Sequence, residues 1–265
     1  MSDILFERKD GALIITLNRP EARNAVTREM NKAMYEALQS VEHDPAIRVV
    51  LLRGAGDHFM AGGDVKGFNE VLDLSEAERR AQFESRVHAV TPLMLLLERM
   101  PQIFICAVKG ACAGMGLSWV AAADLAIAAR SAFFVQSQIK IGIIPDGGGT
   151  YWPARMVGLK RAKEIALLGD RFSAEDAERW GLINRVVDDS VFDVAVEDWV
   201  RRLSRGPGQA QAVTKSLVNA SLSNDYAGQL AQEAVGVANT AGHPDFAEGV
   251  RAFIEKRAPK FGSHN

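Results

Sequence analysis

The sequence predicts one α/β unit in which strands come first and helices dominate afterwards. Three observations carry this expectation. Two short β-rich apolar runs, Ala12 to Leu17 and Arg48 to Arg53, flank a segment of helical periodicity. Strand, glycine-rich turn and helix alternate again between Ile103 and Val135. From about Gly147 onward the apolar spacing is helical, and no Pro-, Gly- and Ser-rich linker, internal repeat or low-complexity tract divides the 265 residues.

The first run, ALIITL, is closed by Asn18-Arg19-Pro20. Thr27 to Val41 then sets Met30, Met34, Leu38 and Val41 at helical spacing, with Thr27 as the N-cap, because a threonine hydroxyl can accept from a free N–H of the first turn. RVVLLR forms the next strand and ends at Gly54-Ala55-Gly56. Ser75 to Met100 is a charged amphipathic segment, and its charges from Glu76 to Arg86 read as a solvated face. IFICAV (Ile103 to Val108) is a strand, a helix begins near Met115, and DLAIAA (Asp124 to Ala129) and Phe133 to Val135 are further strands. Helices are expected at Ala162 to Leu168, at Ala174 to Trp180 and in three longer segments after Asp188. The last, Asp245 to Arg257, places Phe246, Val250 and Phe253 on one face, suited to docking on the core or on a neighbouring subunit.

Composition excludes several function classes. With 31 basic against 33 acidic residues the formal charge is −2, so the basic stripe of a general nucleic-acid binder is missing. Cys106 and Cys112 lie in an apolar stretch and read as reduced core residues rather than zinc ligands. The longest uncharged stretch, Gly110 to Ala123, falls well short of the ~20 residues that span a bilayer. The opening MSDILFERKDG has no apolar core of a leader peptide, and the expectation is a cytoplasmic protein without a membrane partner.

Two segments hold candidate chemistry. Phe59-Met60-Ala61-Gly62-Gly63-Asp64-Val65-Lys66 follows a strand with small residues that let a ligand approach backbone N–H groups. Gly110 to Ser118 joins a strand to a helix through Gly110, Gly114 and Gly116, and the free N–H groups of a helix start suit developing negative charge. Either segment alone also fits an ordinary turn or a close helix contact.

Together with LNRPEARNAV (Leu17 to Val26), AGGDVK (Ala61 to Lys66), VKGACAGMG (Val108 to Gly116), IGIIPDGGGTY (Ile141 to Tyr151) and FIEKRAPKF (Phe253 to Phe261), they resemble the enoyl-CoA hydratase/isomerase (crotonase) family over nearly the whole chain. The resemblance implies a spiral of repeated strand-strand-helix units. Residues 1–200 would form an acyl-CoA-binding core, and 201–265 a helical trimerisation region. It implies a homotrimer or dimer of trimers acting on an acyl-CoA thioester, with coenzyme A as part of the substrate and no separate cofactor.

Carried across by position, the resemblance assigns the thioester oxygen to the N–H groups of Gly63 and Met115. Arg23, Ala25, Ala61, Gly62, Asp64 and Val65 would bind substrate, while Phe253 and Lys256 would reach the nucleotide from a neighbouring subunit. The family's hydratases use two glutamates to manage water, at positions held here by Ser118 and Gln138. Neither is a carboxylate. Asp146 instead resembles the aspartate of family isomerases, including those acting on epoxyphenylacetyl-CoA, and its apolar neighbours suit proton transfer. The bland reading is an N-cap for the next helix. Leu72, Phe83, Val87, Val90 and Trp152 are candidates for lining an acyl pocket. His58 and His88, without identified partners, read as structural or exposed.

The alternatives are a hydratase, a dehalogenase using Asp146 as nucleophile, and a noncatalytic acyl-CoA- or RNA-binding relative.

Overall fold

The structure is a computed structural model that describes residues 2–262. β1 (Ile4–Lys9) and β2 (Ala12–Leu17) form an antiparallel hairpin, and α1 (Arg28–Gln39) follows. The Thr27 hydroxyl accepts from the N–H of Met30 at 3.2 Å, so the expected N-cap is present. β3 (Val49–Gly54) leads through the one-turn α2 (Lys66–Asn69) to the long α3 (Glu76–Arg99). Ser75 starts α3 with a reciprocal capping box: its hydroxyl accepts from the Glu78 N–H, and the Glu78 carboxylate accepts from the Ser75 N–H.

The chain then alternates between two sheets. β4 (Ile103–Val108) enters the main sheet, β5 (Ala111–Ala113) the second, and α4 (Met115–Ala122) follows. β6 (Leu125–Ala129) and β7 (Phe133–Val135) repeat the alternation before α5 (Trp152–Met156) and α6 (Gly158–Leu168). β8 (Phe172–Ser173), α7 (Ala174–Arg179) and β9 (Arg185–Val187) complete the sheets. Each strand-strand-helix unit gives one strand to each sheet, which is the expected spiral. The main sheet has the order β1-β2-β3-β4-β6-β9, parallel from β2 onward, and the second has the order β5-β7-β8.

Strand side chains alternate between faces, so the main sheet builds two cores. Leu13, Ile15, Val50, Leu52, Phe104 and Cys106 face α1, α3 and α4, whereas Ala12, Val49, Leu51, Ile105 and Ile127 face α8 (Phe192–Ser204). All six residues of β4 are buried because it is central and covered on both faces. Cys106 and Cys112 are free and buried, and burial pushes both thiols above their ordinary range.

The short strands β5, β8 and β9 were not anticipated, and three larger features also differ from expectation. β1 was not anticipated, because only Ile4 of its six residues is buried and an edge strand so exposed has no apolar signature. Four helices, not three, follow Asp188: α8, α9 (Gly208–Ala220), α10 (Tyr226–Ala241) and α11 (Pro244–Ile254). Gly206 and Pro207 interrupt what otherwise looks like a longer helix. α11 stops at Ile254 rather than Arg257, since Lys256 turns left-handed and the Arg257 guanidinium folds back onto the Glu248 carboxylate at 2.6 Å.

A buried ion pair fastens the helical region to the core. Lys215 on α9 reaches the Asp124 carboxylate at 2.8 Å and also donates to the carbonyls of Leu97 and Gln102 at 3.0 and 2.9 Å. Asp124 accepts in addition from the Phe104 N–H at 2.8 Å. Burial pushes the Lys215 ammonium down and the Asp124 carboxyl up, each against the pull of its partner. Lys215→Met would remove the cation from a buried carboxylate and the donor from two carbonyls, and should destabilise the protein by about 3–5 kcal/mol in chemical denaturation. A loss below about 1 kcal/mol would show that the fastening is dispensable.

Candidate active site

The site begins with backbone pairing. The Met60 N–H donates to the Ala111 carbonyl at 3.1 Å, and the Ala113 N–H donates back to the Met60 carbonyl at 2.8 Å. On its other side the same segment pairs with the loop after β2. The Val26 N–H donates to the Gly62 carbonyl at 2.9 Å, the Asp64 N–H to the Val26 carbonyl at 3.1 Å, and the Ala61 N–H to the Arg23 carbonyl at 2.9 Å. Residues 23–26, 60–64 and 111–115 are thereby laid side by side. The N–H groups of Gly63 and Met115 are left with no acceptor among the described residues.

The two segments approach this closely because Gly62 has no side chain. Its φ is +99°, and a Cβ there would stand 3.2 Å from the Ala113 carbonyl oxygen and 3.6 Å from the Met115 nitrogen. Met115 is the first residue of α4, where the N–H has no intrahelical partner and the helix dipole is positive. The pair can receive one oxygen that gains negative charge.

Side chains staple these loops from behind. Asn24, fully buried in a left-handed conformation, donates to the carbonyls of Ala55 and His58 at 2.9 and 2.7 Å and accepts from the Arg19 N–H at 2.9 Å. Arg19 bonds the Ala25 carbonyl at 2.8 Å and the Asp64 carboxylate at 2.9 Å. His58 Nδ1 accepts from the Ala111 N–H at 3.1 Å, a structural bond that matches the bland reading of this histidine, while His88 is exposed beside Glu84. Sequence reasoning missed Asn24 and Arg19. Their signal was a polar residue next to a positive-φ turn, which one sequence does not distinguish from a surface loop.

Asp146 lies in the turn that covers Met115. A Cβ on Gly147 would sit 3.5 Å from the Met115 Cγ and 3.7 Å from the Ser118 Cβ. The Asp146 side chain does not cap a helix: α5 begins after Tyr151 with no side-chain cap, and Asp146 Oδ1 accepts from the Gln138 amide at 3.2 Å. The capping reading is therefore set aside. Ser118 and Gln138, at 0% and 7% exposure, lie beneath this turn, and a Cβ on Gly149 would come within 2.5 Å of the Ser118 hydroxyl.

Other expected residues divide into those gathered here and those that stand apart. Arg23 and Val65 are exposed at the rim, and Ala25, Ala61, Gly62 and Asp64 form the paired loops. Phe253 and Lys256 are exposed on and just beyond α11, which packs on α10. Among the pocket candidates, Phe83 makes a tilted ring contact with Phe68 at 5.1 Å between centroids, and Trp152 lies 3.0 Å from where a Gly148 Cβ would be. Leu72 and Val87 are largely exposed. Phe68, not anticipated, reaches within 3.8 Å of a Gly63 Cβ and walls the donor pair.

Comparison with known proteins places this two-sheet α/β spiral in a known family. The enoyl-CoA hydratase/isomerase family model matches residues 7–264, and the chain belongs to that family. It is 38% identical to the 1,2-epoxyphenylacetyl-CoA isomerase of Escherichia coli over 261 residues, 98% of both chains. It is 39% identical to a probable enoyl-CoA hydratase of Rhodobacter capsulatus over 259 residues, 97% of both. The structure of an enoyl-CoA hydratase from Polaromonas superposes with a TM-score of 0.89 at 33% identity, covering 97% of this chain and 99% of that one.

The two glycines differ in what they tolerate. Gly62→Ala must hold a side chain at positive φ against the Ala113 carbonyl and should destabilise by more than about 1 kcal/mol. Gly63→Ala meets only the Phe68 ring at an ordinary 3.8 Å and should melt close to wild type. Thermal denaturation of both variants checks the contrast, and equal losses would contradict it.

Proposed function

We propose that this enzyme shifts a double bond within an enoyl-CoA thioester. One observation carries the reading. Asp146, in the turn packed against the Met115 side chain, is held by Gln138, whereas the two positions assigned to hydratase glutamates hold Ser118 and Gln138. A single carboxylate suits a reaction that removes a proton and returns it.

Asp146 takes a proton from the carbon beside the thioester. The electron pair of that C–H bond moves into the thioester and places negative charge on its oxygen. The N–H groups of Gly63 and Met115 bind this enolate oxygen more strongly than the uncharged carbonyl, which lowers the barrier rather than merely tightening binding. Asp146 then returns the proton farther along the acyl chain. Atoms and charge balance without an oxidant, a reductant or a metal ion, and coenzyme A enters only as part of the substrate. Bound intermediates keep the proton from exchanging widely with water.

Arg23, exposed at the mouth of the paired loops, offers a guanidinium to a phosphate of the nucleotide. The further substrate contacts in this reading come from Phe253 and Lys256 of a neighbouring copy, in a homotrimer or dimer of trimers. The apolar side chains left exposed on α10 and α11, among them Val235, Val237, Phe246, Phe253 and Ile254, support such assembly. Deletion of Ala252 to Asn265 should weaken acyl-CoA binding and assembly together, as read by titration and sedimentation. An unchanged oligomer with unchanged affinity would contradict the shared site.

The deciding variant is Asp146→Asn, which keeps size and removes the base. Isomerisation of 3-enoyl-CoA thioesters should fall at least ~100-fold while acyl-CoA binding survives. Following water addition on 2-enoyl-CoA with the same preparation separates this reading from hydration. Wild-type isomerisation by the variant would overturn the mechanism.

A further inference from the structure

We infer that Gln138 is the positioning residue for Asp146, pairing with it whether the carboxyl is ionised or protonated, and this rests on the reading of Asp146 as the proton carrier.

Asp146 sits in a turn that bends at Gly147 and Gly148, both at positive φ, so the backbone alone holds its side chain weakly. Among the described residues its carboxylate has one hydrogen-bond partner, the Gln138 amide on Oδ1. Oδ2 has no partner among the described residues and is the oxygen available to carry the proton. Gln138 itself is fixed. It lies in a one-turn 3₁₀ segment, Ser137–Ile141, its carbonyl accepts from the N–H groups of Gly142 and Ile143, and it is only 7% exposed.

The chemistry of an amide explains why it suits this place. An ionised carboxylate only accepts, so Nε2–H must face it. Once Asp146 has taken the substrate proton on Oδ2, Oδ1 is the carbonyl oxygen of the acid and still accepts from Nε2–H, so the same amide contact serves both states. A glutamate would repel the ionised form, and an apolar side chain would pair with neither.

The test uses the full-length enzyme and 3-enoyl-CoA thioester. Gln138→Met keeps length and removes both hydrogen-bonding groups. Its kcat should fall roughly tenfold or more, with KM nearly unchanged, because a misplaced base costs rate rather than binding. Combined with Asp146→Asn it should add no further loss. Gln138→Glu keeps size and shape, and two carboxylates in contact should shift the acid limb of the pH–rate profile upward by about one unit or more. If Gln138→Met does not fold, the profile of Gln138→Glu decides alone. With Asp146→Asn inactive, a wild-type kcat for Gln138→Met or an unmoved profile for Gln138→Glu overturns this inference and leaves the isomerase reading intact. Wild-type turnover by Asp146→Asn overturns that reading instead.

Discussion

The site depends on one close approach of two backbone segments. Met60 exchanges hydrogen bonds with Ala111 and Ala113, and the tight pairing carries Gly62 against the start of α4. A Cβ at Gly62 would stand 3.2 Å from the Ala113 carbonyl oxygen and strain the approach that brings the N–H groups of Gly63 and Met115 near each other. Two such donors are effective because they are already oriented and no water has to reorganise around them. The spiral serves this approach. Each turn gives one strand to the main sheet and one to the second, so the loops after β3 and β4 emerge side by side.

Close backbone pairing near a loop-rich surface needs polar anchoring behind it, because a buried loop must satisfy its own N–H and carbonyl groups. Asn24 satisfies two carbonyls and an N–H at one point. His58 satisfies the N–H of Ala111, and Arg19 joins the Ala25 carbonyl to the Asp64 carboxylate. Each of these side chains bridges segments distant in sequence. They fix the donor loops relative to each other while none of them has to touch the substrate.

Much of this was legible in the sequence where local rules decide. β2, β3 and β4 follow from apolar runs, α1 from its period and its Thr27 cap, and α4 from the glycines before it. The donor segments and Asp146 were found through the family resemblance, and the structure gathers them in one place. What escaped was set by tertiary contact. β1 exists because β2 offers it an edge, β8 and β9 are too short to carry a pattern, and Phe68 becomes a wall only once α2 folds over Gly63. The bond from Gln138 to Asp146 joins residues eight apart through a turn whose shape no period records.

The packing beneath Asp146 also bears on how hydration and isomerisation diverge within one fold. Ser118 is fully buried, and its hydroxyl lies within 2.5 Å of where a Gly149 Cβ would be. The turn carrying Asp146 therefore occupies the space into which a longer side chain at 118 would extend. Interiors packed this closely do not absorb two extra methylene or carboxyl groups without moving the backbone. A glutamate at 118 would therefore have to displace neighbouring groups, the Gly149 backbone among them, in order to fit. Ser118, Gln138 and the glycine turn that carries Asp146 are thus packed and hydrogen-bonded as one unit rather than as three independent positions.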